Sequence, residues 1–83
     1  MPDQEKLKEA MTTLGRALKS VGKEEAAYLQ EIKAQIDEAV KADPGLDKQL
    51  EFCYGIIFAP DKIKNEALMK AAKFYVNVVE GKI

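Results

Sequence analysis

An apolar run at residues 50–59 limits the folds that this chain can adopt. It reads LEFCYGIIFA, so eight of its ten residues are apolar and only one is charged. Such a run has to be covered on several sides, either as a helix between neighbouring helices or as a buried strand. A strand needs partners, and no second run of β-branched or aromatic residues with turn signals around it occurs in the sequence. The remaining alternative to a helix is a strand completed by another chain.

The helical interpretation extends back over residues 46–59. Its apolar residues form one row at i, i+4, i+7 and i+11 and a second row four residues apart, namely Leu46, Leu50, Cys53 and Ile57 with Phe52 and Ile56. Asp43 followed by Pro44 predicts the start, because aspartate caps helices and proline suits the first helical position. Pro60 predicts the end. Gly55 costs this helix about 1 kcal/mol against alanine, a loss that is either tolerated or a sign that another backbone passes close by.

Three further amphipathic helices are predicted, at residues 3–21, 23–42 and 62–80. The first has a coiled-coil-like seam of apolar residues spaced 4, 3, 4 and 3 apart, and Gly22 is placed to end it in a left-handed conformation. The short connection that follows predicts that the first two helices are antiparallel neighbours. Asp61 is predicted to cap the last helix and Gly81 to end it. This helix is apolar around so much of its circumference that it should be covered on two sides.

The fold class predicted from these patterns is all-α, a small four-helix bundle-like domain with a short, strongly apolar third helix. Residues 1–83 form one domain in this interpretation. Charge is unevenly shared along the chain. Residues 23–43 hold three lysines against six acidic residues, a net charge of −3, whereas residues 60–83 hold five lysines against three acidic residues, a net charge of +2. Opposite charges of this kind favour the packing of the two segments side by side.

The composition argues against catalysis and against bound metals or cofactors. There is no histidine, which is the most frequent general base and a common metal ligand. Cys53, the only cysteine, lies among aromatic residues and isoleucine and is predicted to be an inert buried thiol. Glycine-rich phosphate-binding motifs and serine nucleophile motifs are also missing from the sequence. We therefore predict no enzyme activity and no catalytic, cofactor-binding or metal-binding residue.

The same features predict a soluble, cytoplasmic protein. Met1, Pro2 and Asp3 lead directly into a charged segment with no apolar signal region. The single cysteine suits a reducing compartment. The longest uncharged run, residues 52–60, is far shorter than the ~20 residues that a membrane-spanning helix requires.

The function predicted from the sequence is a non-catalytic protein–protein interaction module. The third and fourth helices carry more apolar side chains than a small four-helix monomer easily hides, and large exposed apolar patches mark partner sites. We expect the chain to self-associate, most simply as a homodimer, or to dock on a larger protein. The predicted interaction surface consists of eight residues: Phe52, Ile56, Phe58, Leu68, Met69, Tyr75, Val76 and Val79.

Two other functions compete with this interpretation. In the first, the protein carries a small apolar ligand in a pocket formed by four aromatic residues with Tyr54 as a polar handle: Phe52, Phe58, Phe74 and Tyr75. In the second, residues 59–61 form the joint of a helix-turn-helix, and Lys62, Lys64 and Asn65 open the second helix, where base contacts are made. The net charge of −1 and the solitary arginine argue against nucleic-acid binding.

Overall fold

The computed structural model describes residues 3–82, which form four helices joined by turns and loops. Helix α1 spans Gln4–Leu18, α2 spans Lys23–Ala42, α3 spans Lys48–Ile57 and α4 spans Glu66–Val79. No strand occurs within residues 3–82. The all-α prediction with a short third helix is therefore confirmed, and the alternative of a strand in the apolar run is wrong. Met1 and Pro2, which enter the prediction about a signal region, lie outside the described residues.

None of the helices within the described residues combines the length and the apolar character that crossing a bilayer requires.

The capping side chains show where α3 and α4 begin. Asp47 Oδ1 accepts hydrogen bonds from two backbone N–H groups in the first turn of α3, both at 3.1 Å. Asn65 Oδ1 accepts one from the backbone N–H of Leu68 at 3.0 Å. The predicted caps Asp43 and Asp61 are therefore wrong, and α3 and α4 begin at residues 48 and 66 instead of 46 and 62. Each connection offers two residues able to cap a helix, and in both cases the later one does so.

The two glycines predicted to end helices behave differently. Gly22 has a φ of −78° and caps the start of α2, so the prediction that it ends α1 in a left-handed conformation is wrong. Gly81 has a φ of +74°. Its N–H donates to the carbonyl of Val78 at 3.2 Å, and the N–H of Lys82 donates to the carbonyl of Asn77 at 2.8 Å. These two bonds form a Schellman motif, so the predicted end of α4 is confirmed.

The helices pack in an order different from their order in the chain. Helix α1 lies against α4, α4 against α3, and α3 against α2. In the part of the chain that the structure describes, α1 and α2 do not pack as neighbours, so the predicted antiparallel pair is wrong. The reason is the wider apolar surface of α4, which buries six residues where α2 buries only two, Leu29 and Ile32.

The position of α3 between α2 and α4 also keeps these two helices apart. Helix α2 and helix α4 are not packed side by side in the described residues, so the prediction that these oppositely charged helices are neighbours is wrong. As expected, α4 is covered on two sides, by α1 and by α3. The resulting body is flattened and measures 34 × 32 × 18 Å.

A hydrogen-bonded corner holds the α1–α2 turn against the loop before α4. Glu25 Oε2 accepts hydrogen bonds from the backbone N–H of Lys64 at 2.9 Å and of Asn65 at 2.8 Å. Glu25 Oε1 accepts a longer one from the N–H of Gly22 at 3.4 Å. The amide of Asn65 donates to the carbonyl of Ser20 at 3.3 Å. These bonds keep residues 62–65 out of the helix that was predicted to include them.

Candidate interaction surface

Five of the eight residues predicted to form an interaction surface are buried inside the monomer. Each is at most 8% exposed and belongs to the core in which α4 meets its two neighbours: Phe52, Ile56, Leu68, Tyr75 and Val76. The prediction that these side chains are open to a partner is wrong. Its premise, that a small monomer cannot hide the apolar sides of α4, fails because α1 and α3 cover both of them.

The other three predicted residues differ in how far they are exposed. Met69 and Val79 are half-buried and pack against the core. Phe58, which follows the last residue of α3, is 77% exposed. Its ring stacks on that of Tyr54, with 5.7 Å between the ring centroids and 10° between the planes. Phe58 is thus the most exposed of the eight predicted residues.

An apolar groove of about 400 Å³ runs between α2 and α3, next to Phe58. We call it the α2–α3 groove. Tyr28, Ile32, Ile36 and Ala39 line it from α2, and Phe58 lies at its edge. Sequence reasoning missed the contribution of α2, although the spacing of these four residues at i, i+4, i+8 and i+11 carries the signal of a continuous apolar stripe.

Gly55 lines the groove from α3, opposite Ile32 of α2. A methyl group on Gly55 would lie 2.9 Å from Cδ1 of Ile32. The hydroxyl of Tyr28 donates a hydrogen bond to the carbonyl of Gly55 at 3.0 Å. The glycine therefore does allow a close approach, but the close neighbour is the side chain of Ile32 and not the backbone that the sequence suggested.

One carboxylate lies among the residues that line the groove. Glu51 is the only charged residue among the ten described residues that line it. Burial raises the pKa of the Tyr28 hydroxyl, and the nearby carboxylates of Asp61 and Glu31 raise it further. The ion pairs found within residues 3–82 join other residues, namely Lys41 with Glu38, Lys48 with Asp37 and Lys82 with Glu80.

Both tyrosine hydroxyls at the groove are already hydrogen-bonded. Tyr28 donates to Gly55, as described, and Tyr54 Oη donates to Glu80 Oε2 at 2.8 Å. The bond to Glu80 is the main reason why the pKa of the Tyr54 hydroxyl is raised, and the Glu51 carboxylate adds to it. The groove therefore offers a partner mostly apolar surface and one carboxylate, that of Glu51.

The arrangement predicted for an apolar-ligand carrier is wrong. Phe52 and Tyr75 are buried in the core, whereas Phe58 is exposed. Phe52 borders depressions beside Leu18 and Lys33, and Phe58 borders the α2–α3 groove, so the two aromatic side chains do not line one pocket.

The predicted helix-turn-helix is wrong as well. Lys62, Lys64 and Asn65 do not open a helix, because they lie in the connection before α4, which begins at Glu66. Glu25 fixes this connection through the backbone N–H groups of Lys64 and Asn65.

The thiol of Cys53 is placed where it cannot act as a nucleophile in the folded chain. The residue is fully buried. Burial, with a smaller contribution from Asp47, raises the pKa of the thiol to about 12. The thiol is therefore protonated at neutral pH, and the thiolate is the reactive form. Across residues 3–82, no three cysteine, aspartate or glutamate side chains are grouped closely enough to hold a metal ion.

The chain matches no known protein family, no curated protein and no solved structure.

Proposed function

We propose that this chain is a non-catalytic protein–protein interaction module that binds another polypeptide through the α2–α3 groove and Phe58. The observation that carries the proposal is the exposure of Phe58, at 77%, directly beside an apolar groove of about 400 Å³. Exposed aromatic side chains next to apolar grooves mark binding sites, because their burial is the main source of binding energy.

Self-association is the simplest form of this function. A two-fold dimer uses the same patch on both subunits. Phe58 and the α2–α3 groove lie side by side on one face, so Phe58 of each copy would enter the groove of the other. A larger protein that presents an apolar side chain at the same place would use the surface in the same way.

The proposal includes a cytoplasmic location. It is supported by the single cysteine, which is buried and protonated and has no partner for a disulfide within the chain. Proteins of oxidising compartments that are this small usually rely on several disulfides.

Sedimentation equilibrium of the Phe58→Ser variant tests self-association. The matched control is Met11→Ser on α1, because Met11 is the other large apolar side chain exposed among the described residues, at 50%. We expect the wild-type chain to dimerise between low and high micromolar concentrations, Phe58→Ser to weaken the dimer about tenfold or more, and Met11→Ser to leave it unchanged. Both substitutions should alter the free energy of unfolding by less than about 0.5 kcal/mol.

Two results would contradict the proposal in different ways. Equal weakening of the dimer by both substitutions would show that Phe58 is not part of a specific surface. A wild-type chain that stays monomeric throughout would remove self-association and leave docking on another protein as the remaining form of the function.

A further inference from the structure

We infer that Glu80, at the end of α4, is a positioning residue for the interaction surface, because it holds the side chain of Tyr54 on which the exposed ring of Phe58 stacks. This inference rests on the proposed function and adds to it a residue that does not line the α2–α3 groove. It follows from two contacts in series and from the place of the Glu80 carboxylate in its helix.

The first contact joins Tyr54 and Phe58, which lie four residues apart at the end of α3. The N–H of Phe58 donates to the carbonyl of Tyr54 at 3.0 Å, so helical hydrogen bonding continues as far as Phe58. Side chains at this spacing are neighbours on a helix, and the two rings are stacked as described. Tyr54 is half-buried and also lines the groove. Its ring is therefore the support for the exposed ring of Phe58.

The second contact joins Tyr54 to Glu80. Glu80 Oε2 accepts the hydrogen bond from Tyr54 Oη at 2.8 Å, and Nζ of Lys82 lies 3.1 Å from Glu80 Oε1. The backbone N–H of Glu80 donates to the carbonyl of Val76 at 2.9 Å. Both carboxylate oxygens thus have partners on a fixed backbone, and Glu80 ties Tyr54 of α3 to the end of α4.

The position of Glu80 is not explained by the stability of α4. Glu80 follows the last residue of α4, and the last turn of this helix holds no basic residue. A carboxylate at the negative end of the helix dipole is unfavourable. The ion pair with Lys82, whose side chain is 67% exposed, offsets little of this cost. A residue that opposes a local preference indicates a role outside its own helix, and the contact of Glu80 outside α4 is its bond to Tyr54.

A fixed Tyr54 ring makes Phe58 a better anchor for a partner. An exposed aromatic side chain loses rotational freedom when a partner buries it, and this loss weakens binding. Because Phe58 already rests on a ring that Glu80 holds in place, less freedom remains to be lost. Breaking the bond between Tyr54 and Glu80 should therefore weaken binding without removing any residue that touches the partner.

Nuclear magnetic resonance of the full chain with ¹³C-labelled phenylalanine tests the placement of Phe58. The chain has three phenylalanines, and the signals of Phe58 are identified by their loss in Phe58→Ser. Glu80→Ala removes the acceptor of the hydrogen bond, and Tyr54→Phe removes only the donor hydroxyl. With chemical shifts extrapolated to the dilute, monomeric chain, we expect both substitutions to shift the ring signals of Phe58. The control Glu9→Ala makes the same change of net charge at an exposed position of α1 and should leave them unchanged.

Sedimentation equilibrium of the same variants measures the consequence for binding. Glu80→Ala and Tyr54→Phe should each weaken the dimer about threefold to tenfold, and Glu9→Ala should leave it unchanged. Glu80→Gln keeps an acceptor oxygen and should restore most of the affinity. Urea denaturation separates the effect from a loss of the fold. The midpoint of Glu80→Ala should stay close to that of the wild type, because the lost bond is offset by removal of an unfavourable charge at the helix end.

The outcomes separate this inference from the proposed function. Phe58 signals that stay unchanged in both Glu80→Ala and Tyr54→Phe would overturn the inference and leave the proposed function intact. Shifted signals with unchanged affinity of the dimer would overturn it as well, since the placement of Phe58 would not matter for binding. A wild-type chain that stays monomeric while the signals shift supports the placement of Phe58 by Glu80 and removes only self-association.

Discussion

The carboxylate of Glu25 joins two connections that are far apart in the sequence. Its two oxygens accept backbone hydrogen bonds from Gly22, Lys64 and Asn65. The N–H of Asn65 is the largest cause of the lowered pKa of this carboxyl group, because hydrogen bonds to an ionised carboxylate stabilise that form. One side chain thus fixes both the start of α2 and the loop that leads into α4.

Glu25→Gln should lower the free energy of unfolding by about 1 kcal/mol at neutral pH, because the neutral amide replaces a charged acceptor. The folded-state pKa lies below the ordinary value of 4.5, so the contribution of Glu25 is present above that pH and is lost as the pH falls through the folded-state value. Urea denaturation over this range should therefore show wild type and variant converging in acid.

The control for this prediction is Glu24→Gln. Glu24 shares the first turn of α2 but is exposed, and it accepts no hydrogen bond found in the described residues. Its replacement removes only the favourable charge near the helix N-terminus, a few tenths of a kcal/mol. Equal losses for the two variants would mean that the carboxylate of Glu25 acts through its charge alone.

The sequence could not show which candidate residue caps a helix. Asp43 and Asp47 before α3, and Asp61 and Asn65 before α4, have side chains of equal capping ability. Asn65 caps α4 because its backbone and amide are also bound to Glu25 and Ser20, which lie forty or more residues earlier in the chain. Hydrogen bonds between residues this far apart in the sequence produce no recognisable pattern near the cap. The presence of a helix, in contrast, can be predicted from the spacing of apolar residues within the segment itself.

Helix α3 illustrates how a glycine fits two helices together. Both Gly55 in α3 and Gly15 in α1 lie inside helices, but only Gly55 has a neighbour close to where a side chain would project. The neighbour is Cδ1 of Ile32 in α2, the flexible end of a side chain that borders the α2–α3 groove. Replacing each glycine by alanine and comparing the two changes in the free energy of unfolding therefore measures how closely Ile32 packs on Gly55.

Gly15→Ala should stabilise the protein by about 0.5–1 kcal/mol, because alanine favours the helix and the site is open. Gly55→Ala should gain clearly less, since Ile32 has to move. In an Ile32→Val background, which lacks Cδ1, Gly55→Ala should recover most of the gain. A double-mutant cycle measured by urea denaturation tests this coupling, and equal gains for Gly15→Ala and Gly55→Ala would disprove the close contact.

The neighbours of each helix were harder to predict than the helices themselves. The bounds of α2 match residues 23–42, and α4 is covered on two sides as its apolar pattern predicted. Whether α1 packs on α2 or on α4 depends on which of them offers it the wider apolar surface. That comparison involves the whole molecule and not one segment. For the same reason the sequence could not distinguish the buried Phe52 from the exposed Phe58, which lie six positions apart in one apolar run.

The molecule as a whole places Cys53 at a depth that makes its thiol a probe of unfolding. Cys53 is fully buried on α3, which lies between α2 and α4. Local fraying of a helix end does not reach this position. A thiol reagent therefore reacts with it only in molecules whose helices have separated.

A Met11→Cys variant carries an exposed and a buried thiol in the same molecule, because residue 11 is half exposed in the wild type. The reactivity of the two thiols can then be compared directly. At mildly alkaline pH we expect one thiol, at residue 11, to react rapidly with a disulfide reagent. The thiol of Cys53 should react at a rate that is slow without urea and rises with urea in parallel with the unfolded fraction. Rapid reaction of both thiols without urea would contradict the burial of Cys53.

The contact between α1 and α4 has a consequence for synthesis of the chain on the ribosome. Helix α1 emerges first, but the helix that covers its apolar residues Ala10, Leu14 and Ala17 comprises residues 66–79. Until those residues leave the exit tunnel, α1 and α3 both lack the neighbour on which they pack, and the nascent chain is open to chaperones and proteases. The core therefore cannot close until residues 66–79 have left the exit tunnel.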